Sequence, residues 1–328
     1  MFTIIVHMRL SFHGAFLQTG SVLSAPSSTV WCGPLQEGPV GSRALAGTLV
    51  PIHTGAIVDS IVIPAQTKIE EAVHFRTHAA DSHVLIHLEP GAQATIILWL
   101  ESDLASLEHA TEVVAESGSR LTVLCINAIA SSSAVTIRQQ STIAKQASVR
   151  WQQVSLGGSV LTHDLFSRAT GDHAESAVDW MFYAKASERH TLTVRNVFDG
   201  AEGTGEVLMR GVAEERGHGV CRGTIDIGRT GGGTNTYLTQ EVLMLDATAK
   251  IDAVPALEIK TNDVKASHSA TVARVTPEDL FYFAARGIPE RAARAMFVQG
   301  FLGQIAERID DKRSREKVEG MIEKKYAL

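Results

Sequence analysis

The chain has 328 residues, 45% of them hydrophobic, 6% aromatic and 20% charged, a makeup that fits one large or two modest globular domains and excludes disordered, collagen-like and coiled-coil classes. With 30 Lys and Arg against 36 Asp and Glu the net charge is -6, so no global basic field draws in nucleic acid or anionic lipid. Cys32, Cys125 and Cys221 lie far apart with no C-x-x-C spacing, and read as free thiols in a reducing compartment rather than as a disulfide or zinc framework.

Residues 1–60 form an N-terminal region to which the pattern assigns no structure, being aperiodic and carrying several Gly, Ser and Pro. Its opening stretch, with one Arg and a broken apolar run, imitates a secretory signal poorly. No segment approaches the roughly 18 apolar residues that cross a bilayer. The longest, ATIILWL at 94–100, stops at Glu101. The expectation is a cytoplasmic protein with no membrane association.

His74, His78, His83 and His87 make two H-x3-H pairs, a zinc spacing on a helix. SHVLIH is β-patterned, however, and i, i+4 on a strand spans about 13 Å, so surface or inter-coil histidines are the better reading.

From about residue 89 to residue 275, apolar residues alternate or form short runs in segments of five to eight, bounded by Gly, Ser, Asp or Asn. LTVLCINAI (121–129), SVRWQQVSL (148–156), SAVDWMFYA (176–184), HTLTVRNV (190–197) and GTIDIG (223–228) each read as a strand. In the third, Val178, Trp180 and Phe182 share a face and Asp179 takes the other. No helical period intervenes, which rules out a βαβ sheet. EPGAQATIIL at 89, ESGSRLTVLC at 116 and AKQASVRW at 144 form a faint repeat with offsets 116 - 89 = 27 and 144 - 116 = 28. A parallel β-helix over 61–275 accounts for short strands, few aromatics and a loose period, with a β-sandwich as the competing architecture.

GRTGGGT (228–234) resembles a phosphate cradle but lacks the G-K-[ST] ending and a following helix, and reads as a turn between strands. No G-x-S-x-G occurs, and His163 beside Asp164 is no triad. No carboxylate pair for glycoside cleavage stands out.

At Thr276 the pattern changes. Thr276-Pro277-Glu278-Asp279 supplies an N-cap hydroxyl, proline at the first helical position and an acidic N3 residue, so a helical segment over 276–328 is predicted. Gly287 caps the first helix. Pro289 and Glu290 begin a second, with Ala293, Phe297, Phe301 and Ile305 in one row, and Val318, Met321 and Ile322 mark a third. The fold expected is mainly β, a parallel β-helix core followed by a C-terminal α-helical segment.

Three blocks carry a family resemblance: P-x-L-E-I (Pro255 to Ile259), D-V-K-x-S-H-x-A-T (Asp263 to Thr271) and L-F-Y-x-x-x-R-G-I-P (Leu280 to Pro289). In this order and spacing they closely resemble the C-terminal part of the SufB/SufD family, the β-helical components of the SUF iron–sulfur cluster assembly system. GDHAESAVDWMFYA (171–184) and CRGTIDIG (221–228) resemble its core coils, so the likeness covers about residues 165–310.

The resemblance implies a non-enzymatic component with no catalytic residue and no resident metal or cofactor of its own. SufB-type members carry a cluster-assembly cysteine where this sequence has Ala249, which makes the chain SufD-like. The family's helical region before the β-helix has no counterpart evident in 1–60. His268, in the S-H-x-A-T block, is implied in handling iron or a transient iron–sulfur cluster at the interface with a SufB-like protein, or with a second copy of the chain. Imidazole chemistry suits that role. Glu258 and Asp263 are nearby carboxylates that iron would find. Phe281, Tyr282, Arg286, Phe297 and Phe301 are expected to dock a SufC-like ABC-type ATPase, because they supply more aromatic surface than short helices need to cover a solenoid end. Two other functions fit a β-helix: a carbohydrate-active enzyme of the pectate lyase-like class, which wants an aromatic and acidic groove plus a secretory signal, and a homodimeric scaffold without cluster work.

Overall fold

The computed structural model describes residues 58–327 together with strand segments 16–17, 22–25 and 28–34, and side chains from residue 59 onward. The N-terminal region 1–60 and the Cys32 side chain thus lie almost wholly outside the described residues. Strands are numbered along the chain. The odd-numbered ones form one sheet in the order β1 (Phe16–Leu17), β5 (Val73–Thr77), β7 (Gln93–Leu100), β9 (Arg120–Asn127), β11 (Ser148–Ser155), β13 (Glu175–Ala184), β15 (Thr204–Ala213), β17 (Thr234–Met244) and β19 (Val264–Arg274). The other sheet runs β2 (Val22–Ala25), β3 (Ser28–Pro34), β4 (Val58–Ile63), β6 (Asp81–Leu88), β8 (Ser106–Ala115), β10 (Ala134–Ile143), β12 (Val160–Ala169), β14 (Arg189–Phe198), β16 (His218–Ile227) and β18 (Lys250–Ile259).

From β4 onward successive coils place one strand in each sheet, and all pairing is parallel: the chain winds into a β-solenoid. The faint repeat is its register. Gln93 pairs with Arg120, an offset of 120 - 93 = 27, and Arg120 with Ser148, an offset of 148 - 120 = 28. Later coils lengthen to 204 - 175 = 29 and 235 - 204 = 31, which is why the repeat fades. At one corner a residue with positive φ recurs in each coil before the last: Gln66, Gly91, Gly118, Gln146, His173, Glu202 and Gly233. Each donates its N–H to the next coil's carbonyl, for example Gly118 to Lys145 O at 3.0 Å and Gly233 to Asp263 O at 2.7 Å. The GRTGGGT segment is such a corner, between β16 and β17.

Between the sheets lies a core of Ile, Val, Leu and aromatic side chains, including Trp151, Trp180 and Phe182. Strands β7, β9 and β11 show a second pattern. Their burial alternates at first and then becomes continuous, as in iBiBBBBB for β7, because helices cover the outer face of their second halves. These are α1 (Pro277–Ala284), α2 (Glu290–Ala306) and α3 (Lys312–Ala327). Thr276 closes the predicted capping box, exchanging bonds with Asp279, and Gly287 takes φ +76 after α1.

Two helical expectations change. The helices do not close the solenoid end: Val298, Leu302, Ile305, Val318 and Ile322 lie along its flank against Ile97, Leu124, Val154, Met181 and Leu208. In α2 the buried stripe is Ala293, Val298, Leu302, Ile305 and Ala306, with Phe297 and Phe301 half-buried at its margin. The two ends of the expected row, Ala293 and Ile305, belong to this stripe, and only its phenylalanines lie at the edge.

Candidate functional site

Among the described residues the last coil, β18 and β19, has no coil above it, and two consequences follow. Each strand leaves one backbone edge without a strand partner among the described strands, and its inward side chains are covered from below only. Ile251, Ala253, Leu257, Val264 and Ala266 therefore pack on the core while remaining half-buried.

His268 belongs to this open end. Register runs one column through the odd sheet: Val73, Ile96, Val123, Trp151, Val178, Val207, Leu238, His268. Every member before His268 is a buried apolar side chain, from 0% to 2% exposed. The imidazole takes an inward position, in alternation with the inward Val264 and Ala266, yet is exposed because the column stops there. An apolar column thus ends on a ligand-type side chain facing whatever is laid on the coil.

The carboxylates named from sequence are not brought to this column. Glu258 is on the outer face of the other sheet, where Arg195 Nη2 holds it at 2.7 Å and also reaches Asp226 at 2.6 Å. Asp263 is an exposed corner residue. Among the described residues no group of three His, Cys, Asp or Glu has a metal-holding arrangement, and His268 is part of none. Ala249 is a buried methyl just before β18.

The four early histidines stand on strands or corners, as read. His83 and His87 of β6 are buried and face carboxylates of the next coil: His83 Nε2 lies 2.9 Å from Glu112, and His87 Nε2 hydrogen-bonds Glu116 at 2.7 Å. His74 is buried with Trp99 Nε1 donating to its Nδ1 at 3.3 Å, and His78 is exposed. Cys125 and Cys221 are free and buried, and burial pushes both thiols up to about 12, far from reactive thiolates.

The five aromatic and basic residues of the helices divide. Phe281 and Tyr282 are 73% and 56% exposed on α1, which buries no residue, and Met296 of α2 is also exposed. Arg286 stacks on the Tyr282 ring at 3.6 Å. Phe297 packs edge-on against Phe283 at 5.3 Å, and Phe301 lies under Arg210 at 5.4 Å, so both serve mainly to seat α2.

Sequence reading missed the cations that clamp the helices to the flank. Arg308 Nη1 reaches Asp179 at 2.6 Å and Glu206 at 3.0 Å, Arg294 donates to Leu245 O at 2.6 Å, and Lys325 pairs with the buried Glu188 at 2.7 Å. Separations above 40 residues left no local signal for any of them.

A family model described as SUF system FeS cluster assembly, SufBD core domain, matches residues 70–301, well over half of the chain. The chain belongs to the SufBD family. It is 28% identical over 254 residues to an iron–sulfur cluster assembly SufBD family protein of Mycobacterium tuberculosis, covering 74% of this chain and 63% of that protein. A SufBD family protein of Mycobacterium leprae is 29% identical over 227 residues, covering 66% and 57%. Escherichia coli iron–sulfur cluster assembly protein SufD is 26% identical over 178 residues, or 54% of this chain and 42% of that one. The chain thus spans under two thirds of each relative. The SufBD match takes in the last coil, α1 and most of α2.

Proposed function

We propose that the chain is a SufD-like, non-enzymatic component of cytoplasmic iron–sulfur cluster assembly. Its last coil pairs with a SufB-like protein, or with a second copy of itself, and Phe281, Tyr282 and Arg286 dock a SufC-like ABC-type ATPase, which supplies the ATP chemistry. Iron or a nascent cluster is the cargo, held transiently at the paired end.

The observation that carries this reading is His268 ending an apolar column at an uncovered coil. A solitary imidazole there has no structural partner to satisfy, and it lies where side chains of a second solenoid complete a coordination sphere. The two free strand edges beside it suit strand addition by a partner. Among the described residues no cluster of ligand side chains includes His268, so in this reading the partner supplies the remaining ligands.

His268→Ala tests the reading. Because His268 is exposed, the variant should melt within about 1 °C of the parent and still bind its partners. Iron and sulfide recovered with the complex should fall severalfold. Normal recovery would leave the chain a purely structural partner.

A further inference from the structure

The helices cover only the second halves of β7, β9 and β11, and the first halves of these strands turn their outer face to a cavity of about 350 Å³. Register sets its lining. Lys68, Gln93, Arg120, Ser148 and Glu175 form one outward column, and Thr95, Thr122 and Arg150 form the next. Their strand neighbours Ala94, Leu121 and Val149 are buried in the core, so the side chains offered to the cavity are polar.

The charges along this lining differ in what already holds them. Lys68 Nζ lies 2.9 Å from Glu70, and Arg150 Nη1 donates to the buried Asp179 at 2.7 Å. Arg120 and Glu175 enter no ion pair among the described residues and are exposed to the cavity. They stand two strands apart in one column, about 10 Å at the backbone, with Ser148 between them. Thr122 shares the face of Arg120 two residues along the same strand. The planar donor fork of an arginine beside hydroxyls matches a carboxylate. Hydroxyls and an amide that both donate and accept match alcohol groups, while a carboxylate such as Glu175 accepts only. An apolar ligand would strip water from all of these groups and return no hydrogen bond.

We propose that this cavity binds a small hydroxylated carboxylate of the sugar-acid class. Its carboxylate pairs with Arg120, its hydroxyls exchange hydrogen bonds with Gln93, Thr122 and Ser148, and the hydroxyl at its far end donates to Glu175. The volume falls in the lower part of the range for small-molecule sites, which gives room for a single molecule of this size. The site lies at least three coils below the strand that carries His268, so it is separate from cluster handling and from docking at α1, and its test leaves that reading untouched.

Calorimetric titration of the full chain with sodium gluconate tests the site, with glucose as the neutral control and sodium sulfate as the inorganic anion. The expected result is saturable binding of gluconate, with glucose and sulfate weaker by about tenfold or more. Arg120 is exposed, so Arg120→Gln should keep the melting midpoint while lowering gluconate affinity by about tenfold. Glu175→Gln should lower it severalfold. No saturable binding of gluconate at millimolar concentration, sulfate binding as tightly as gluconate, or affinity unchanged by Arg120→Gln overturns the proposal. If that variant does not fold, the parent's discrimination among gluconate, glucose and sulfate decides.

Discussion

Buried imidazoles set the pH response of this molecule. His163 and His190 are held at about 3 by burial, against about 6.5 in an unfolded chain. Between these values the unfolded state carries a proton at each site and the folded state does not, so stability rises with pH there and is lost as pH falls from 6.5 towards 3. Each histidine should contribute a slope of up to about 1.4 kcal/mol per pH unit in this window. Urea unfolding at a series of pH values should show this loss, and His163→Gln should reduce the slope by about one proton. An unchanged slope would mean that the imidazole is already protonated in the fold.

For the helices, the flank position changes which experiment is informative. Removing 276–328 would uncover Ile97, Trp99, Leu124, Ile126 and Met181 on the outer face of the odd sheet, and Trp99 would also lose the Lys317 ammonium that sits over it at 3.8 Å. Such a truncation is expected to aggregate, so lost ATPase binding in it would say little about docking. Phe281→Ser with Tyr282→Ser should shift stability by no more than about 0.5 kcal/mol, since α1 buries nothing, while abolishing SufC-like binding in a pull-down. Retained binding would place docking elsewhere. Arg308→Ala addresses the clamp: it leaves the buried Asp179 to Arg150 and frees the end of α2, at an expected cost of about 1–3 kcal/mol in thermal or denaturant unfolding.

Viewed as a whole, the molecule is a stack closed along one flank by helices and uncovered at its last coil. Open ends of this kind are satisfied by another chain or by charges that repel one. Ala270 occupies an inward, exposed position two residues past His268 on β19. Ala270→Lys should therefore keep the fold and melting point while blocking assembly with a SufB-like partner, read by light scattering on the mixed proteins. Assembly at parental affinity would move the interface away from this coil.

Much of this architecture was legible in the chain, because two periodicities are local properties. Alternation marked the strands, the 27- and 28-residue offsets were the register itself, and Thr276 to Asp279 spelled out a helix start that formed as written. His268 was found by resemblance, yet its apolar column needed the register before the anomaly was visible. The path of the helices was not legible: a 3.6-residue stripe says that a face is buried but not against what, and solenoid end and flank are both apolar. Sheet faces covered on both sides did leave a trace in unbroken runs such as ATIILWL, which alternation alone does not explain. The Lys325–Glu188 and Arg308–Asp179 pairs depended on tertiary structure alone. Each joins residues whose spacing follows from how many residues each coil takes to turn, and coil length here varies with corner loops that carry no common sequence signal.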